Sequence, residues 1–496
     1  MGLLFMLIFY GFDRRGVKIP EINPAINFDI GNRRRMADFV QNSKDLMIRA
    51  RQKFGQNPYK LFSEWGNVVV LPPEYLDELR NDPRLDILTP LNEDNNGSIP
   101  GFEPFMANEN HPLMITKYLT RALNKITKPL SKEMALTLRE IITETTGNVE
   151  YTLTEWHEIV PGESFIHIVN RLSTRVFMGE DLCRDDAWLK ASANYTATAF
   201  AAGKQLGRYP KWFRPIVHWF LPSCWKVRGL LSHTRQVLKP HLERREAKKN
   251  DALAQGDTSI QFDDAIEWFG LVFKEKYDPA SQQITLALAA IHTTNDLLQQ
   301  TMIDLACHPE LFKPLREELI SVLRADGLTK TALPNLKLLD SVIKESQRLK
   351  PVMLSNFRRL ATENIRLSDG FVIRKGQRII VNNTHMWDTN WYEEPEKYDG
   401  YRFLHLRGTE QEKYAHLVNT ATKHTGFGFG NHSCPGRFFA ANELKIALIH
   451  FLLKYDWKLS EGYKPQPVAS GMALVPDPRV KFLFRRREQE LDLVCL

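Results

Sequence analysis

One cysteine, Cys434, stands inside the run Phe427-Gly428-Phe429-Gly430-Asn431-His432-Ser433-Cys434-Pro435-Gly436-Arg437, which limits the folds open to this chain more than any other feature. Gly430 and Gly436 supply backbone angles that other residues resist, so the loop is expected to fold tightly against a flat partner. Pro435, then Arg437-Phe438-Phe439-Ala440-Ala441-Asn442-Glu443-Leu444, reads as the first turns of a helix. The thiol therefore lies beside a helix N-terminus, where unpaired N–H groups and the helix dipole favour its ionised form. A thiolate in a glycine-lined loop is what a haem iron takes as an axial ligand. The competing reading is a structural cysteine in a glycine turn.

The pattern Phe427-x-x-Gly430-x-His432-x-Cys434-x-Gly436 resembles the haem-binding signature of the cytochromes P-450, the haem-thiolate monooxygenases. The resemblance implies haem b as cofactor, Cys434 as the ligand of its iron, and Phe427, Gly430, His432 and Gly436 around it. His432 stands where the family more often has arginine, and would donate to a haem propionate. By its offset from Pro351, Arg358 matches the family's propionate arginine on the other side. A further cation is implied on the helix near 112–123, where Lys117 and Arg121 both qualify. For either one, a solvated helix face is the competing reading.

Residues 283–305 form a long apolar helical stretch interrupted by Ala289-Ala290-Ile291-His292-Thr293-Thr294. Threonine hydroxyls compete for a helix's own carbonyls, so this spot is expected to loosen and hold a water. It resembles the family's oxygen-activation motif across the distal haem face. Thr293 then matches the threonine that steers protons, and His292 stands where an acid is usual. Glu345 and Arg348 share one helix face at i, i+3. With Arg402, in a stretch like the family's meander, they are expected to form a buried charge triad with a structural role.

Hydrophobic residues make up 43% of the 496 and charged residues 25%, with no repeat or low-complexity tract, which favours one large domain. The resemblance implies a mainly α-helical cytochrome P-450-type domain over 16–496. It would have small β-sheets, with haem between the distal helix and the cysteine loop. Residues 1–15 begin with ten apolar residues, too short to span a bilayer, and read as a shallow anchor or the remnant of a longer one. The net charge of +7 is dispersed without a basic stripe, which argues against nucleic acid and suits a membrane surface or an acidic electron donor. Five widely spaced cysteines without a C-x-x-C pair give no disulfide framework or cysteine-rich metal site.

Along the chain, 67–71 reads as a strand, 74–79 as a brief helix, and 156–178 and 188–202 as longer helices. Residues 210–225 are aromatic and broken by prolines; roof, lipid contact and core packing are all open readings. Residues 243–249 are charged and read as the start of an exposed connector to about 262. Residues 371–381 read as a hairpin, and 468–474 as a loop dipping into the pocket.

The resemblance implies insertion of one oxygen atom from O2 into a lipophilic small molecule of terpenoid or related fungal secondary-metabolite type. Electrons would come from a separate NADPH–cytochrome P-450 reductase, with cytochrome b5 as a second candidate donor, on the cytosolic face of the endoplasmic reticulum. A haem-thiolate isomerase or dehydratase, and a non-catalytic haem-binding protein, are the alternatives.

Overall fold

The computed structural model describes residues 19–143, 155–257, 262–273 and 277–493; the apolar segment 1–15 lies outside them. Eight helices carry the argument: α1 (Arg33–Phe54), α2 (Thr120–Leu138), α3 (Pro161–Met178), α4 (Asp186–Leu206), α5 (Pro222–Ala254), α6 (Pro279–Cys307), α7 (Lys337–Leu349) and α8 (Arg437–Lys454). The central one is α6, which packs against α3, α4, α5, α7 and α8. Its start is four residues earlier than the apolar pattern suggests. Asp278 caps it by accepting from the Ala280 N–H at 3.1 Å, and Pro279 occupies the first turn.

The main sheet has the order β1-β2-β5-β4-β3, with β1 (Tyr59–Ser63), β2 (Gly66–Leu71), β3 (Leu85–Asp86), β4 (Phe357–Ala361) and β5 (Arg378–Val381). Only the β2–β5 pair is parallel. One face of this sheet, with Val69, Leu71, Phe357, Ala361, Ile379 and Val381, shares a core cluster with Phe429 of the cysteine loop. A hairpin of β6 (Val468–Ser470) and β7 (Ala473–Val475) is tied to the chain after α7. Leu354 N–H donates to Met472 O at 2.8 Å, and Leu474 N–H to Val352 O at 3.0 Å.

The structure corrects three local expectations and narrows a fourth reading that the sequence leaves open. The 371–381 hairpin does not form: Val372–Ile373 pairs with Ile365–Arg366, while β5 joins β4 and β2. Residues 243–249 are the last turns of α5, held by Arg245 on Asp264 and by Lys249 on Glu267 at 2.6 Å, so the connector begins later. The helix expected from 156 starts at Pro161, because His157–Ile159 pairs as a strand with Phe482–Arg486. The aromatic stretch is surface, not core: Trp212 and Phe220 are each 77% exposed, with Ile216, Trp219 and Trp225 also open.

Candidate active site

The cysteine loop is closed by its own backbone. Cys434 N–H donates to Phe427 O at 2.7 Å and Gly428 N–H to Thr425 O at 2.8 Å. The left-handed positions are Gly428 (φ +73°) and Gly430 (φ +78°); Gly436, expected to need such an angle, has φ −83° and serves as the N-cap of α8. Gly430 is doubly constrained, since a Cβ there would stand 2.5 Å from Arg80 O. At Gly436 a Cβ would meet the Cys434 sulfur at 4.0 Å, an ordinary contact, so that position is not closed to a side chain by the loop itself. Burial pushes the Cys434 thiol up, against the backbone N–H groups of Gly436 and Arg437 and the Arg437 charge. Desolvation therefore outweighs the helix N-terminus, and the positive charge of an iron held by the sulfur would favour the thiolate.

On the distal side α6 is enclosed by other helices, yet Ala289, His292 and Thr293 are exposed in its middle. A surrounded helix shows exposed residues there only where an internal cavity meets it. Thr293 Oγ1 donates to Ala289 O at 2.7 Å, the expected competition for a helix carbonyl, but α6 keeps helical dihedrals throughout and is not interrupted. His292 turns its ring edge-on to Phe200 of α4 with centroids 6.0 Å apart, and Phe200 meets Phe105 at 5.4 Å. Burial lowers the His292 pKa. This histidine belongs to the aromatic roof of the cavity.

The charge triad assembles on the proximal side. Arg348 Nε and Nη2 donate to the two oxygens of Glu345 at 2.8 Å each, and Arg402 Nε donates to Glu345 Oε1 at 3.0 Å. The guanidiniums also close the meander, Arg348 on the carbonyls of Met386 (2.6 Å) and Pro395 (2.7 Å), and Arg402 on that of Glu393 (2.7 Å). Every member is hydrogen-bonded, as a buried network requires.

The two arginines of β4 divide by strand alternation. Arg358 leans over the Trp65 ring at 4.4 Å and donates to Asp94 Oδ2 at 3.3 Å. Asp94 also takes Arg378 at 3.0 Å and Lys211 at 2.5 Å. Arg359 lies on the Phe357 side, is 3% exposed, and has no carboxylate partner among the described residues; its one hydrogen bond goes to Arg358 O at 2.9 Å. Burial, then the Arg358 charge, pushes it down to about 10. The same guanidinium acts electrostatically on His432, whose pKa is lowered first by burial and then by Arg359. The structure thus ties Arg358 to a carboxylate and leaves its neighbour beside the loop histidine. Lys117, in the π-helical turn Ile115–Leu119, and Arg121, in the first turn of α2, are both exposed and without ion pairs among the described residues.

A thiol in a glycine-bounded loop, exposed residues in the middle of the enclosed helix α6, and a buried guanidinium without a carboxylate partner among the described residues together fit an iron porphyrin with acidic side chains. The cytochrome P450 family model matches residues 41–484. The chain belongs to the cytochrome P450 family. It is 48% identical over 99% of its length to cytochrome P450 monooxygenase eqxH of Fusarium heterosporum, covering 94% of that protein. It is 40% identical to cytochrome P450 monooxygenase 1 of Gibberella fujikuroi, over 88% of this chain and 99% of that one. Among solved structures, the cytochrome P450DA heme domain superposes with a TM-score of 0.70 at 16% identity, covering 96% of this chain and 99% of that chain. The protein is accordingly an oxidoreductase, a P450 monooxygenase that works with haem iron, O2, a redox partner and a small-molecule substrate.

Sequence reasoning missed four site features. Two are the left-handed Gly428 and the buried Arg359, which acts on His432 while Arg358 meets Asp94. Glu443 of α8 is buried, accepts from Ser173 Oγ at 2.8 Å, and leaves its second oxygen unpartnered. Lys350 of the segment after α7 reaches Asp296 of α6. Glu443 and Asp296 were visible as acids within apolar helical runs, and Arg359 through the alternation of β4.

Proposed function

We propose that this P450 inserts one oxygen atom into a lipophilic small molecule, a terpenoid or related fungal secondary metabolite. The single observation that carries the reading is Thr293, exposed to an internal cavity of α6 with its hydroxyl hydrogen committed to Ala289 O. Its oxygen lone pairs then remain to hold a water or an incoming donor at the reacting centre. Phe105, Phe200 and Ala289 give the cavity apolar walls, which suits a substrate recognised by shape and held dry.

Haem b, ligated by the Cys434 thiolate, supplies the oxygen activation. The chain's own part is to hold and insulate that group. Arg359 and His432, with Lys117 or Arg121 from the helix opposite, are assigned to its two carboxylates, and Arg358 to the Asp94 cluster. The Glu345–Arg348–Arg402 triad fixes the meander beside the thiol side. Electrons are assigned to NADPH–cytochrome P-450 reductase, with cytochrome b5 as second donor. The exposed Trp212, Ile216, Trp219, Phe220 and Trp225, with Lys211, Arg214 and Arg228 among them, suit the surface of the endoplasmic reticulum membrane on its cytosolic face. Among the described residues no helix is long and apolar enough to cross that membrane.

The test is turnover by microsomes carrying this chain and a fungal reductase, fed terpenoid extracts under isotopically heavy oxygen gas. Products carrying one heavy oxygen, formed only with NADPH, are expected. Product formed without NADPH, and unlabelled, would favour the isomerase or dehydratase reading instead.

A further inference from the structure

His292 has its ring engaged edge-on with Phe200, so the middle of the distal helix presents no acid beside Thr293 at that position. One turn further along the same helix stands Asp296, four residues from His292 and three from Thr293, spacings that make it a neighbour of both on the helix surface. Asp296 is 9% exposed and meets Lys350, which is 1% exposed. Lys350 Nζ also donates to Leu474 O of β7 at 3.2 Å, so the contact knits α6, the segment after α7 and the β6–β7 hairpin. Beside it Asn295 is buried with its Oδ1 unpartnered, a polar spot that a water would satisfy. Two buried charges are costly to keep, and apolar residues of similar size would often serve stability as well.

We propose that Asp296, held by Lys350, is the acid of the distal relay in this chain, passing through a bridging water the proton that Thr293 positions. The inference rests on the reading of Thr293 given above. The pair holds one exchangeable proton, resting on the Lys350 ammonium that donates to the Asp296 carboxylate. In one cycle the Lys350 N–H bond breaks as the Asp296 O–H bond forms. That O–H bond then breaks as an O–H bond forms on the bridging water, which releases another of its own protons towards Thr293. The amine regains one proton from bulk solvent. No electron moves in these transfers. Burial raises the Asp296 carboxyl and lowers the Lys350 ammonium, bringing the two proton affinities together. Asp296 acts on the reacting centre through water and Thr293, so it is a positioning residue.

The test uses haem-loaded, full-length protein with its reductase, NADPH and O2, and no added substrate. Peroxide formation uses two electrons per O2 and water formation four; only the latter needs the relayed proton. Asp296→Asn should slow the water branch by about 10²-fold or more, shifting consumption towards peroxide. It should also move the stretching band of carbon monoxide bound to the reduced protein, a readout independent of turnover. Asp296→Glu should recover both signals in part. Asp296→Asn/Lys350→Met, which removes both charges, should keep the parent's thermal midpoint while retaining the peroxide shift. A parent-like peroxide share and carbonyl band in Asp296→Asn would overturn the proposal. So would parent behaviour in the double variant, since the defect would then come from a stranded lysine. Thr293→Ala separates the two readings. If it shifts to peroxide and Asp296→Asn does not, this inference alone fails; if only Asp296→Asn shifts, the Thr293 reading fails and with it the route by which Asp296 is proposed to act.

Discussion

Replacing Glu443 with glutamine should make the protein more heat-stable, increasingly so as pH rises. The Glu443 side chain is buried in α8, bonded to Ser173 Oγ at 2.8 Å, with no cation paired to it among the described residues. Burial, only partly offset by that hydroxyl, pushes its pKa from 4.5 up to about 8. Because the folded value lies above the unfolded one, the unfolded chain releases this proton first as pH rises. Stability is therefore untouched below about 4.5, falls between there and about 8, and stays reduced above. At 1.36 kcal/mol per pKa unit, the loss is about 1 kcal/mol at pH 5.5 and roughly 4 kcal/mol at pH 8, where the folded group is half ionised. Glutamine keeps the acceptor for Ser173 and cannot ionise. For a chain of 496 residues the unfolding entropy is about 1 kcal/mol/K, so the thermal midpoint should rise by about 1 °C at pH 5.5 and about 4 °C at pH 8. Scans of parent and variant at one heating rate read the difference. An equal shift at both pH values, or none at pH 8, would refute the reasoning.

Glu345→Ala or Arg402→Ala should abolish haem incorporation, because removing one member strands a buried charge at a cost of about 3–5 kcal/mol. A soluble, haem-loaded but inactive variant, seen by absorbance after purification, would contradict this. Arg359→Ala should weaken haem retention, read as transfer to apomyoglobin, about tenfold or more, as expected for one charge-assisted hydrogen bond of about 1.5–3 kcal/mol. Arg358→Ala should instead lower the thermal midpoint by unbalancing the Asp94 cluster; the reverse pattern would restore the original assignment.

What was legible in the sequence is what short-range chemistry dictates. Cys434 could be placed on its loop because two glycines and a following helix leave the thiol little choice of setting. The triad was readable because Glu345 and Arg348 share a helix face and Arg402 lies in a stretch of recognisable wording. The Thr293 hydroxyl bonds a helix carbonyl as threonines in buried helices do. The sequence is silent where a partner distant in the chain decides. An offset from Pro351 points to Arg358, but Asp94, 264 residues away in the chain, claims that side chain and leaves Arg359 facing the loop. The strand Arg378–Val381 found β2 and β4 instead of its neighbour at 372–373, because those offered apolar faces to bury. Residues 243–249 look solvated, and are, yet the helix persists through cross-chain ion pairs to Asp264 and Glu267. The Asp296–Lys350 pair spans 54 residues, and no local pattern links them.

The central claim is a haem iron bound by the Cys434 thiolate, and the carbonyl spectrum of the reduced protein tests it most directly. The parent should show the red-shifted Soret band of a thiolate-ligated carbonyl complex, and Cys434→Ser should lose that band. A parent with no such band, or a Cys434→Ser variant with an unchanged carbonyl spectrum, would contradict the account.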